Sequence, residues 1–295
     1  MFEVRLAQKG EIVYQKEIWK LCFGDQDSYI DFYYANRYKE HETLLLLYNG
    51  DISAMLTMIP VKLVTPDNQI FHAAMLYAIA THPQKQNRGF ATHLMNYSDE
   101  YLKANNKNLS VLVPAEEQLF SYYYKRGYEK GFYIRETSLN RHKIDTLPIS
   151  QTHKGTISPI VAEEYNLRRN KQLSDRFYIA YEDEDINYQK KLSRQSGADI
   201  YGIDFEKIQG CAAIERLSLE KVLIKEILLP EELLNEGIKL IVQQLDAKEY
   251  IVRTPAYLGG HLGGSIRPFA MAKVHRKINL ELTPENLGYL GFAFD

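Results

Sequence analysis

The chain has 295 residues, 45% of them apolar and 25% charged, with a formal net charge of −2. That length predicts two domains with ample core, and the near-neutral charge argues against a nucleic-acid partner or an anionic membrane surface. Two cysteines, Cys22 and Cys211, are too few for a disulfide framework, and no Cys/His cluster has metal-ligand spacing, so no metal is expected.

The opening residues lack the basic-then-apolar layout of a secretion signal, and no apolar run is long enough to span a bilayer. A cytoplasmic protein without a membrane partner is the expectation. Residues 12–21 carry apolar side chains at helical spacing, with Ile12, Ile18, Trp19 and Cys22 on or near one face. Phe23-Gly24-Asp25 ends that helix, and Asp27 or Ser28 is placed to cap a second one running to Tyr38. Residues 44–48 and 52–63 read as paired strands around Asn49-Gly50, a dipeptide suited to a tight hairpin because both residues tolerate positive φ. A further strand is expected at 72–81, followed by a helix at 90–104 with the stripe Phe90, Leu94, Tyr97/Ser98, Tyr101/Leu102. A buried strand at 109–113, a helix at 116–125 capped by Gly127 and a strand at 132–139 complete the first half. The second half is expected to hold helices at 159–170, 185–196 and 231–245, and strands at 199–205, 210–217, 221–229 and 248–254.

The fold class is therefore α/β, a mixed sheet with flanking helices. The expected domains are 1–140, a linker at 141–155, a second domain at 156–265 and a C-terminal stub at 266–295. Tyrosines are plentiful, 22 in all, and they cluster: Tyr29, Tyr33, Tyr34 and Tyr38, then Tyr122, Tyr123 and Tyr124. These groups are either helix faces half in contact with core or the lining of a cleft.

The chemistry concentrates where the strand ending at Thr81 runs through His82-Pro83-Gln84-Lys85-Gln86-Asn87-Arg88-Gly89 into the helix at Phe90. The first turn of a helix has unpaired N–H groups and partial positive charge, so a loop bending into it can cradle a pyrophosphate. Gly89 permits close approach of an anion, Ala91 is small, and Lys85 and Arg88 add charge. A plain strand–helix turn would have the same outline. No Gly-Lys-Ser/Thr follows, so this is not a P-loop, and the glycine spacing is wrong for a dinucleotide fingerprint. The glycine-rich run Gly259-Gly260-His261-Leu262-Gly263-Gly264 has no strand–helix context and reads as a turn.

Gln86-Asn87-Arg88-Gly89-Phe90-Ala91 resembles the Q/R-x-x-G-x-G/A signature of the GNAT superfamily of N-acetyltransferases. Tyr123-Tyr124-Lys125-Arg126-Gly127-Tyr128 resembles that superfamily's tyrosine-x-x-x-glycine-aromatic motif. Together with Trp19, Phe23-Gly24-Asp25 and the long second half, the whole resembles the enhanced-intracellular-survival (Eis-like) branch. There, two GNAT-like domains, the second degenerate, precede a sterol-carrier-like domain. Little sequence follows Arg267-Pro268-Phe269-Ala270-Met271 here, so a stub is expected in its place.

The resemblance implies that the first domain takes acetyl-CoA as co-substrate. The backbone of Ile79, Ala80 and Thr81 would pair with the pantetheine arm, and Asn87, Arg88, Gly89, Phe90, Ala91 and Thr92 would cradle the pyrophosphate. Gln118 and Leu119 would line the far wall, and Tyr123 would stand beside the thioester sulfur. A phenol remains a donor up to about pH 10, so Tyr123 can protonate a departing thiolate. For a base, 71–81 contains no Asp or Glu. The resemblance points to the terminal carboxylate at Asp295, after the apolar tail 287–294, with Asp25, Glu116 or a water route as alternatives. The implied function is acetyl transfer to a primary amine of a small molecule or peptide, in a protein that favours a homo-oligomer. The alternative is a non-catalytic acyl-CoA-binding sensor or docking module, and a third is an enzyme acting on protein lysines or N-termini.

Overall fold

The computed structural model describes residues 2–149, 154–276, 278 and 287–294. The chain separates into two compact units. One holds the described residues of Met1–Lys62, Phe71–Glu129 and Met271–Leu280, the other those of Leu63–Ile70, Lys130–Ala270 and Glu281–Asp295.

The first unit is built from β1 (Phe2–Leu6), α1 (Ile12–Phe23), α2 (Asp27–Asn36), β2 (Thr43–Tyr48), β3 (Asp51–Val64), β4 (Ile70–Thr81), α3 (Phe90–Ala104), β5 (Leu109–Leu112) and α4 (Glu117–Tyr124). Its sheet runs β1-β2-β3-β4-β5. The β2–β3 hairpin turns on Asn49 at φ +54° and Gly50 at φ +90°, so both residues do adopt positive φ. Strands β4 and β5 are parallel, joined by the α3 crossover. Leu44 and Leu46 of β2, Leu56 of β3 and Ala74 and Leu76 of β4 alternate onto one face, where they meet Phe90, Leu94 and Leu102 of α3. Of the stripe expected in α3, Phe90, Leu94, Ser98 and Leu102 are buried, with Met95 and Asp99 beside them, while Tyr97 is exposed.

The second unit contains β6 (Glu129–Asn140), α5 (Arg141–Asp145), β7 (Gly155–Pro159), α6 (Ala162–Gln172), β8 (Tyr178–Ala180), α7 (Asp183–Gln195), β9 (Ile200–Phe205), β10 (Ile208–Ser218), β11 (Lys221–Leu228), α8 (Leu234–Gln244) and β12 (Glu249–Pro255). Its sheet runs β6-β12-β11-β10-β9-β7, and β11 and β12 are again a parallel pair joined by a helix. The last strand, β13 (Ser265–Val274), contributes residues 271–274 to the first unit, antiparallel to β5 with Met271 opposite Leu112. The first unit is therefore closed by a strand that lies beyond its own run of consecutive elements.

Several elements differ from the sequence expectation: helix α5 lies in the expected linker, and strands β7 and β8 were not expected. Strand β1 has a half-exposed edge and was hidden by its position before the first helix. Helix α6 starts at Ala162, after β7 has carried the chain through Pro159. Glu231–Leu233 forms a separate 3-10 turn ahead of α8. Strand β13 contains Pro268, a residue that lacks the N–H a ladder needs and so argues against a strand.

The apolar tail is packed within the second unit. Gly288 and Tyr289 bridge to Phe132 and Tyr178. Phe292 stacks on Tyr181 at 5.2 Å and Phe294 meets Tyr188 at 5.5 Å. The fully buried Arg169 pairs with Glu226 at 3.0 Å and donates from Nη2 to the Leu290 carbonyl at 2.9 Å. A buried guanidinium is tolerated because its donors find a carboxylate and carbonyls; the tail thus fills part of that requirement.

Candidate active site

The site lies in the first unit, where β4 outruns β5. Residues 73–76 of β4 pair with 109–112 of β5, and the pairing stops at Leu76. Beyond that point Ala78 sits at φ +50°, a left-handed conformation inside a strand. For an alanine this is strained. Ile79 packs against the core formed by α3 and α4, as does Leu119. Thr81 closes the strand with its carbonyl accepting from Cys22 Sγ at 3.2 Å and Gln86 Nε2 at 3.2 Å. Its hydroxyl is buried without a partner.

From Thr81 the chain makes one 3-10 turn, Pro83–Lys85, capped by the His82 side chain. Asn87 at φ +60° and Gly89 at φ +78° then turn the backbone twice through the left-handed region. The first backbone hydrogen bond of the α3 entry is His93 N–H to the Gly89 carbonyl at 3.0 Å, so the N–H groups before it have no intrahelical acceptor. A Cβ built on Gly89 meets nothing nearer than His93 Cδ2 at 3.9 Å. Glycine is required there by φ, and the space above it is open. Lys85 pairs with Asp51 at 3.2 Å. Arg88 is exposed with its guanidinium 5.7 Å from the Tyr48 ring centre, and it has no carboxylate partner among the described residues. An open, basic turn with free N–H donors at a helix N-terminus fits a pyrophosphate.

Helix α4 stands opposite. Tyr123 is 8% exposed, in the core cluster with Phe90 and Leu94, and edge-on to Tyr122 at 5.1 Å. Burial, with the neighbouring Tyr122, pushes its pKa up to about 12, against a smaller opposing effect of Arg126. Its hydroxyl is therefore neutral and a donor across the physiological range. Gln118 is exposed and donates to Glu116 at the outer edge of the helix. Thr92 and Ala91 are half-buried in the first turn of α3. Arg126, which no motif singled out, ties the two helices: Nη2 donates to Thr92 Oγ1 at 2.8 Å while the guanidinium lies 3.4 Å from the Tyr122 ring centre.

The early tyrosines gather with Trp19 beside the same strand. Trp19 contacts Tyr33 at 4.8 Å and Tyr77 of β4 at 5.6 Å, and its Nε1 donates to Asp25 at 2.8 Å. Tyr29 and Tyr77 bring their hydroxyls to 3.4 Å. Tyr33 and Tyr34 are buried, while Tyr29 and Tyr77 are half-exposed, so the cluster is part core and part surface. Of the sequence-derived residues, the structure brings together Ile79, Leu119, Phe90 and Tyr123 around one core and sets residues 87–92 as one turn beside it. Asp295 lies outside the described residues. Ala78 had no signal in the sequence, because alanine has no preference for positive φ.

Residues 3–131 match the acetyltransferase (GNAT) domain profile. This region of the chain is a GNAT acetyltransferase domain. The GNAT fold continues through the rest of the chain. A GCN5-related N-acetyltransferase from Anabaena variabilis aligns over 94% of this chain and 73% of its own, with 14% identity and a TM-score of 0.76. Eis1 from Mycobacterium abscessus aligns over 92% and 74%, with 12% identity and a TM-score of 0.68. A tandem GNAT protein from the clavulanic acid biosynthesis pathway aligns over 95% and 99%, with 10% identity and a TM-score of 0.54. These likenesses are of fold. No curated protein matches the sequence. Among the described residues no helix is long and apolar enough to cross a membrane, and no three His, Cys, Asp or Glu side chains are grouped to hold a metal ion.

Proposed function

We propose that the first unit transfers the acetyl group of acetyl-CoA to a primary amine of a small molecule or peptide. The observation that carries this reading is the turn at 87–89. Two left-handed residues lead into a helix whose first N–H groups have no intrahelical acceptor, Arg88 has no carboxylate partner among the described residues, and β4 runs on past its pairing with β5. GNAT acetyltransferases use acetyl-CoA as co-substrate. In this proposal Asn87, Arg88, Gly89, Phe90, Ala91 and Thr92 hold the pyrophosphate, Ile79, Ala80 and Thr81 flank the pantetheine, and Gln118 and Leu119 form the far wall. The second unit is a degenerate partner.

The reaction is direct. The neutral amine attacks the thioester carbonyl, a C–N bond forms, the C–S bond breaks and the sulfur leaves as thiolate. Holding amine and thioester together removes much of the entropic barrier. The Tyr123 hydroxyl, neutral because burial raises its pKa, donates its proton to the sulfur. The proposal assigns the amine's proton to the terminal carboxylate at Asp295.

The test is thiol release from acetyl-CoA against a panel of amines. Turnover with any small amine or peptide supports the reading. CoA binding without turnover across small amines, peptides and intact proteins would replace it with an acyl-CoA sensor.

A further inference from the structure

Behind Tyr123 lies a buried polar chain that the reaction as described leaves without a role. Gly127, at φ +83°, ends the α4 turn and places Tyr128 directly beneath the helix. The Tyr128 N–H donates to the Tyr123 carbonyl at 3.2 Å, and its ring meets the Tyr123 ring edge-on at 6.0 Å. Tyr128 is fully buried, and its hydroxyl lies 2.8 Å from Ser110 Oγ on β5. Ser110 Oγ lies in turn 3.0 Å from His275 Nε2, and the His275 backbone N–H donates to the Asn108 carbonyl at 2.8 Å. On α3, Asp99 accepts from Lys273 Nζ at 2.5 Å through Oδ2, while Oδ1, 3.9 Å from His275 Nε2, has no partner.

Polar groups at this depth are costly unless they hydrogen-bond, and a purely apolar core would serve packing as well. One arrangement uses every hydroxyl proton: Tyr128 donates to Ser110, and Ser110 donates to a bare His275 Nε2. Burial holds the His275 pKa down and so favours the neutral ring, whose Nδ1 is buried without a partner among the described residues. Lys273 closes the assembly, its Nζ 5.7 Å from the Tyr128 ring centre and its Cε 3.4 Å from where a Gly127 Cβ would stand. The Tyr128 ring is thus fixed from both ends, and it is the surface on which Tyr123 rests.

We propose that Tyr128 is a positioning residue for acetyl transfer, holding the Tyr123 ring at its working angle through the hydrogen-bond chain from Tyr128 to Ser110 and His275. The inference rests on the reading of Tyr123 as the proton donor. Its role is indirect, since the Tyr128 hydroxyl faces Ser110 and not the reacting atoms.

Tyr128→Phe keeps the ring and removes its tether, and Ser110→Ala removes the tether from the other side. Each is expected to lower kcat by roughly 10-fold, within the range that slight misplacement of a reacting group costs, while the KM for acetyl-CoA stays at the wild-type value. The decisive measurement is the double variant with Tyr123→Phe. If Tyr128 acts only through Tyr123, the pair is no slower than Tyr123→Phe alone, because residues acting as a unit are not additive. Losses that multiply would overturn the positioning role, and so would wild-type kcat in Tyr128→Phe and Ser110→Ala when Tyr123→Phe is slow. If Tyr123→Phe itself turns over normally, the reading of the donor fails first and takes this inference with it. Equal stabilisation of each variant by CoA checks that the site is folded, and Ser110→Ala carries the test if Tyr128→Phe does not fold.

Discussion

In the first unit, β4, α3 and β5 form a parallel crossover whose strands pair over residues 73–76 and 109–112. In the second, β11, α8 and β12 do the same over 221–224 and 249–252. The frames match, and the turns that enter the two helices do not. Before α3 the chain offers Asn87 and Gly89 at positive φ, N–H groups without an intrahelical acceptor and Arg88 with no carboxylate partner among the described residues. Before α8 it offers Leu229, Pro230, Glu231 and Glu232. Leu229 is buried so closely on α8 that a Cβ on Gly237 would lie 2.3 Å from it. Pro230 has no N–H, and Glu231 uses its carboxylate on the Gly259 N–H at 2.8 Å and on His261 at 2.6 Å. A pyrophosphate would meet donors and positive charge in the first turn, and apolar surface and negative charge in the second. The crossover is a frame; the few residues of the turn decide whether it takes an anion.

The variant that breaks this contrast most completely is Gly89→Asp. It forces a side chain at φ +78° and adds negative charge at the helix N-terminus, so stabilisation by CoA in a thermal-shift assay should vanish and turnover with it. The mirror change, Glu231→Gln in the second unit, should leave CoA stabilisation at the wild-type value.

Next in size is the chemistry. Tyr123→Phe should lower turnover by roughly 10²-fold with CoA affinity unchanged, the low end for loss of a general acid. Because the Tyr123 pKa stands at about 12, the pH–rate profile should show no alkaline fall from this group below about pH 11. Amidating the chain terminus by semisynthesis preserves every apolar contact of the tail and removes one charge. It should slow turnover by about 10²-fold if that carboxylate is the base, and wild-type turnover would move the base elsewhere.

The smallest expected effect concerns His275. Its folded-state pKa is lowered, chiefly by burial, so the unfolded chain binds the proton more readily. Stability is then full above the unfolded value of about 6.5 and declines as pH falls through the folded value. The melting temperature should drop between about pH 7.5 and about 5.5, above the carboxylate range. His275→Gln should flatten that part of the curve, and an unchanged slope would remove His275 from the account.

What could be read from the sequence was local. Asn49-Gly50 specified its hairpin because the turn needs positive φ at both positions. The α3 stripe and the Gly127 cap were legible for the same reason, since each depends on residues only a few positions apart. The loop from Gln86 to Ala91 was visible as a signature. Hidden were features set by distant partners: β13 against β5, Arg126 on Thr92, and His275 behind Ser110. The left-handed φ at Ala78 was hidden differently, because its strain is imposed on a residue with no such preference.

The contrast between the two turns is tested most directly by counting CoA sites with isothermal titration calorimetry of the wild-type chain and of Gly89→Asp. The account predicts one CoA per chain for wild type and none for the variant. Two sites in wild type, or one site surviving in Gly89→Asp, would contradict it and place CoA binding outside the turn at 87–89.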